Sequence, residues 1–243
     1  MNKFWKFKQV KNQGVNTSEL YLTEYIAQES WFDDDVTPKQ FKDELAKCTG
    51  DLTVYINSPG GDCFAAAEIY TALMEYDGKI TVKIESLAAS AASVVAMAAD
   101  VVEMSPTAMM MIHNPTVYLY GEVCDLEQGI EFLSEVKESI VNAYQLKTKL
   151  SRGKISKLMD AETWMSAKKA QDLGFADKML YEDCTKKIET GDGGFESYNK
   201  KASVTNTIAA MRKKLTPIPQ NTDDGIKISD AMSRLKLVGG TFK

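Results

Sequence analysis

The sequence predicts a layered α/β domain, and three observations carry that prediction. Short runs rich in β-branched residues recur at residues 52–57, 80–84 and 101–104. Segments with apolar residues at helical spacing fall between them, and strands alternating with helices are the mark of helices packed on a sheet. With 243 residues, 44% of them apolar, the chain can bury a core of ordinary size.

Each element follows from its own pattern. Residues 19–26 (Glu-Leu-Tyr-Leu-Thr-Glu-Tyr-Ile) alternate as a half-buried strand does. After the acidic turn Asp33-Asp34-Asp35, Thr37-Pro38 reads as an N-cap followed by proline in the first helical position, and Phe41, Leu45 and Cys48 give the helix one apolar side. The strand at 52–57 closes on the turn Ser58-Pro59-Gly60-Gly61, and Ala66, Ile69, Tyr70, Leu73 and Met74 place a helix over about 63–76. Residues 80–84 form the next strand. Apart from its two serines, the stretch 87–99 holds only small or apolar side chains, which predicts a helix buried on all sides and too short to cross a bilayer. Strands at 101–104 and 109–112 follow, the second running into His113-Asn114-Pro115, and 117–122 alternates as one more strand. Leu126, Ile130, Leu133, Val136, Ile140 and Tyr144 put a one-sided helix over 125–150 that needs a partner for its stripe. Short helices at 155–159 and 168–173, the latter stopped by Gly174, lead to a closing segment at 175–180.

Composition limits the function. The net charge of −5 gives no reason to expect nucleic-acid binding, and the basic start lacks the apolar run of a signal peptide. Neither a membrane partner nor a cofactor is expected, and Gly78-Lys79-Ile80 does not form a nucleotide-binding loop. Cys48, Cys63, Cys124 and Cys184 have no metal-site or paired spacing, which fits a reducing cytoplasm. A single histidine, His113, excludes any zinc site with two imidazoles, and any Ser-His chemistry must use it. Residues 186–243 carry +5 against −10 for residues 1–185 and are punctuated by Gly191-Asp192-Gly193-Gly194 and Pro217-Ile218-Pro219. The chain therefore divides into an N-terminal segment (1–17), a domain (18–185) and a basic C-terminal extension (186–243), in which 204–215 and 226–237 could form short helices.

Three features carry chemistry. Ser90 falls near a strand-to-helix turn, where free N–H groups stabilise developing negative charge; the alternative is a close-packed helix whose serines bond back to its own carbonyls. Gly60-Gly61 brings side-chain-free backbone amides to the end of a strand, as an oxyanion hole requires, or forms a simple turn. His113 follows a buried strand where the chain turns outward, as a base or as a structural residue.

Together, Ile56-Asn57-Ser58-Pro59-Gly60-Gly61, Ala88-Ala89-Ser90, Met111-Ile112-His113-Asn114-Pro115 and Trp164-Met165-Ser166-Ala167, with Gly174 and Asp177, resemble the proteolytic subunit of Clp protease (ClpP). They are most similar to the phage and prophage branch used in capsid maturation. The resemblance spans about 18–181. It implies the ClpP/crotonase-like layered fold of repeated β-β-α units with a protruding helical handle. It also implies Ser90 as nucleophile, His113 as general base, the amides of Gly61 and Ala91 as the oxyanion hole, and Gly60-Gly61 beside the substrate. Glu162 stands where the family usually has the triad aspartate, with Asp160 as the fallback, and Ser86 replaces a common glycine. A protein or peptide substrate, stacked homo-oligomeric rings joined through the 125–150 helix, and a cytoplasmic location (the host's, for a phage protein) are further implications. ATP dependence would come from a separate AAA+ unfoldase, and the phage branch would act on scaffold and capsid proteins. The rival readings are a crotonase-like enzyme on acyl-CoA thioesters with a carboxylate base, a Ser-Lys protease of the signal-peptide-peptidase kind, and a catalytically silent assembly protein.

Overall fold

A computed structural model describes residues 3–12, 15–26 and 38–182. The acidic turn at 33–35, the Thr37 cap and the whole extension 186–243 with its two expected helices lie outside the described residues. In chain order the elements are β1 (Trp5–Asn12), β2 (Val15–Leu22), α1 (Pro38–Leu45), β3 (Leu52–Ser58), α2 (Cys63–Met74), β4 (Ile80–Ala89) and α3 (Ala91–Ala96). There follow β5 (Val101–Met104), β6 (Met109–Ile112), α4 (Val123–Thr148), α5 (Arg152–Asp160), β7 (Thr163–Ser166), α6 (Ala167–Asp172) and β8 (Lys178–Met179).

The strands form one sheet in the order β1-β2-β3-β4-β5-β8, with β6 branching from β4 and carrying β7 on its other edge. From β2 to β5 the pairs are parallel, as crossovers through helices require. Leu20, Val54, Val82 and Val102 stand in one row across four strands, and Leu22, Ile56, Ile84 and Met104 in the next. All eight are buried, so a one-residue slip of any strand would turn its core residues to the opposite face.

The segment before residue 18 does not stand apart from the sheet. Strand β1 pairs along its length with β2, and Phe4 and Trp5 are buried, the Trp5 ring lying edge-on to Phe41 of α1. Trp5 Nε1 also donates to Glu44 Oε2 at 3.0 Å, so the polar edge of the indole is satisfied on the same helix.

Two expectations need correction. Leu87, Ala88 and Ala89 are not helical: β4 runs through them, pairing with Met109, Met110 and Met111 of β6, while Ala88 also faces Ser58 of β3. Strand neighbours on both sides outweigh the helix preference of alanine, and the helix shrinks to 91–96. Residues 117–122 are not a strand. Pro115 removes a backbone donor as the chain leaves β6, whose edges are already taken by β4 and β7. No strand among the described residues pairs with 117–122, and Tyr118 and Tyr120 are 65% and 47% exposed.

The expected stripe of α4 is buried only along the later part of the helix: Val136, Val141, Ala143, Tyr144 and Thr148 are buried, while Val123, Leu126 and Ile130 near its start are exposed. Its start is fixed by a capping box between Glu122 and Asp125. No helix among the described residues is long and apolar enough to cross a membrane.

Candidate active site

Strands β4 and β6 lie side by side and end together, which brings two residues distant in sequence into contact. The ladder runs to the last possible step, with Ser90 N donating to Met111 O at 2.9 Å. Immediately beyond it, Ser90 Oγ lies 2.7 Å from Nε2 of His113. Ser90 has φ 54° and ψ −126°, a backbone conformation that costs a non-glycine residue about 1–3 kcal/mol and persists only where the surroundings enforce it. Such a turn between strand and helix lifts a side chain clear of the sheet, the geometry of a nucleophile elbow.

The Gly60-Gly61 turn packs against this elbow. Gly60 has φ 96°, and a Cβ there would come within 2.5 Å of Ala89 O, 2.7 Å of Ser90 Cβ and 2.9 Å of Ala91 N, so only glycine allows the approach. A bridge to Ile26 positions the next residue. Gly60 O accepts from Ile26 N at 2.9 Å and Asp62 N donates to Ile26 O at 2.8 Å. The amide of Gly61, lying between these two bonding groups, is directed away from Ile26. Ser58, fully buried, secures the turn by donating to Glu24 O at 2.6 Å and accepting from Gly60 N at 3.2 Å.

Burial lowers the pKa of His113 below its ordinary 6.5, and the negative charge of Glu162 opposes that shift. The ring is therefore neutral at pH 7. In the tautomer protonated on Nδ1, its Nε2 accepts the Ser90 hydroxyl proton. A base with a lowered pKa loses function only when the medium becomes acidic enough to protonate it. The acid limb of kcat/KM for any reaction that uses His113 as its base is accordingly expected below pH 6.5, measurable as a pH-rate profile. Because the folded protein disfavours imidazolium, this residue also withdraws stability as pH falls from 6.5 through its folded pKa.

The two candidate carboxylates are in different surroundings. Glu162, at φ 45° in the turn after α5, accepts from Trp164 Nε1 at 3.2 Å and is the charge that acts on His113. Asp160 Oδ1 instead accepts from Lys137 Nζ at 2.6 Å and Asn114 Nδ2 at 2.9 Å, and these bonds hold its carboxyl below the usual range. Asp160 thus ties α4 and the His113-Asn114 corner to the end of α5.

Beside the Ser90 hydroxyl lies a cavity of about 190 Å³, lined mainly by apolar groups including Tyr70, Val94, Val136, Ile140 and Tyr144. Cys63 also lines it, and burial pushes its thiol up to about 11, so it stays protonated. Sequence reasoning passed over Tyr144 as one more residue of an apolar stripe. Its hydroxyl lies 2.8 Å from Ser93 Oγ, which donates to Ser90 O at 2.6 Å. Ser93 thus makes the back-bond foreseen for a helix serine, while Ser90 does not.

A hydroxyl on a neutral imidazole, raised on a strained elbow at the carboxyl ends of parallel strands, is the layout of a serine hydrolase. A family model for Clp protease matches residues 12–183. The ATP-dependent Clp protease proteolytic subunit 1 of Chlamydia abortus is 30% identical over 167 residues, covering 64% of this chain and 87% of its own length. The ATP-dependent Clp protease proteolytic subunit of Bacteroides fragilis is 29% identical over 132 residues, covering 54% of this chain and 64% of its own. Among solved structures, a ClpP1 mutant from Listeria monocytogenes shares the fold with a TM-score of 0.56 at 23% identity, covering 66% of this chain and 89% of that one. The chain belongs to the Clp protease family and is a serine peptidase of the ClpP type.

Proposed function

We propose that the protein is an endopeptidase in which Ser90 is the nucleophile, His113 the general base, Glu162 the group that orients the imidazole, and the amides of Gly61 and Ala91 the oxyanion donors. The observation that carries this is the 2.7 Å contact of Ser90 Oγ with His113 Nε2 at a positive-φ elbow. Ser90 Oγ attacks the peptide carbonyl as its proton passes to Nε2. The tetrahedral oxyanion is held by the two amides, and the imidazolium returns the proton to the leaving amine as the C–N bond breaks. Water, deprotonated by the same imidazole, then hydrolyses the acyl-enzyme and regenerates Ser90.

The cavity beside Ser90 fits an apolar side chain at the residue whose carbonyl is attacked, and Gly60-Gly61 with the unpaired segment 116–122 would hold the substrate backbone extended. Assembly into homo-oligomeric rings is supported by the exposed row Val123, Leu126 and Ile130 at the start of α4. A partner AAA+ unfoldase, cytoplasmic action, and the narrower role in phage capsid maturation on scaffold or capsid proteins rest on motif resemblance alone. Small fluorogenic peptides with leucine or methionine before the scissile bond are expected to be cleaved in preference to those with aspartate or lysine there, and acyl-CoA thioesters to be left intact. Turnover of acyl-CoA with no peptide cleavage would instead favour the crotonase-like reading.

A further inference from the structure

The Ser90 carbonyl is held by more than its own helix. It accepts the Ser93 N–H at 2.9 Å and the Ser93 hydroxyl at 2.6 Å. A serine hydroxyl has one proton, and this one is used on Ser90 O, so the 2.8 Å contact between Ser93 Oγ and Tyr144 Oη must have the tyrosine as donor. Both hydroxyls are out of contact with water: Ser93 is fully buried and Tyr144 is 1% exposed. Burial also raises the Tyr144 pKa well above that of free tyrosine, which keeps the phenol a donor throughout the neutral range. The Tyr144 ring is seated edge-on against Phe175 at 5.5 Å, and its backbone belongs to the longest helix, α4.

The peptide between Ser90 and Ala91 is planar and trans, so its carbonyl and its N–H point in opposite directions. Fixing the carbonyl of Ser90 therefore aims the amide of Ala91. We propose that Tyr144 and Ser93 form a two-hydroxyl relay from α4 that positions the Ala91 N–H as an oxyanion donor, an inference that rests on the reading of Ser90 as nucleophile. Neither residue touches the reacting atoms through this relay; both are positioning residues. The relay gives the strained Ser90 turn a support that starts on a different helix.

The test uses the full chain with Tyr144→Phe, Ser93→Ala and the double substitution. Misaiming one oxyanion donor, without removing it, is expected to lower kcat for a fluorogenic peptide by about tenfold with KM nearly unchanged. The double variant should lose no more than the worse single one, since the hydroxyls act in series. A peptide aldehyde, which forms a tetrahedral adduct, should lose affinity by the same factor, while the matching peptide alcohol should not. Equal losses for aldehyde and alcohol, or unchanged kcat and aldehyde affinity in both single variants, overturn the relay while the nucleophile assignment survives. An unsubstituted protein that binds the alcohol but gains nothing from the aldehyde overturns the nucleophile assignment, and the relay with it.

Discussion

Ser90→Ala is expected to lower kcat for peptide hydrolysis by about six orders of magnitude, His113→Ala by about the same, and the pair by no more than either alone. The near-equality follows from the division of labour. Without the imidazole the hydroxyl stays protonated and weakly nucleophilic, and without the hydroxyl the imidazole has nothing to activate. Because Ser90 Oγ and His113 Nε2 are 2.7 Å apart, the two substitutions remove one unit and their effects do not add. Initial rates with the purified single and double variants measure this. Losses that multiply would mean that the two residues act separately. The Ser90→Ala protein should keep its fold, since alanine meets the same positive-φ demand as serine.

Glu162→Gln is expected to cost up to about four orders of magnitude, the scale on which a triad carboxylate fixes the tautomer and stabilises imidazolium. Asp160→Asn, by contrast, should cost less than about tenfold, because it weakens only exposed bonds to Lys137 and Asn114. The pH dependence separates the two roles. Glu162 raises the pKa of His113 against the effect of burial, so neutralising it should move the acid limb of kcat/KM to lower pH. The sign is fixed: removal of a negative neighbour makes imidazolium harder to form. Asp160→Asn should leave the limb where it is. Were the shift seen with Asp160→Asn and not with Glu162→Gln, the third member of the triad would be Asp160.

Much of the sheet could be read from the sequence, because residues such as Val54, Val82 and Val102 lie in parallel strands whose buried faces write a clear alternation into the chain. Pairing that depends on distant neighbours could not be read so well. Leu87-Ala88-Ala89 has the composition of a helix, and it is the end of β3 on one side and β6, over 20 residues onward, on the other that make it a strand. Residues 117–122 show the opposite case: the alternation is genuine, yet a strand requires an edge to join, and β6 has none to offer. The candidate site was legible where chemistry and local conformation coincide, as at Gly60-Gly61 and Ser90. It was hidden where a residue's role depends on a partner far along the chain. Tyr144 occupies an apolar position on α4, and no local pattern distinguishes a ring that merely fills space from one whose hydroxyl reaches Ser93. The division between Glu162 and Asp160 was open for the same reason, since two carboxylates two residues apart are separated only by what surrounds them.

The most direct test of the site is covalent. A fluorophosphonate probe should phosphonylate Ser90 alone, with the adduct found by mass spectrometry on the peptide that contains it and absent from His113→Ala. An adduct on Ser93 or Ser86, or a reaction at Ser90 that proceeds at full rate without His113, would contradict the account.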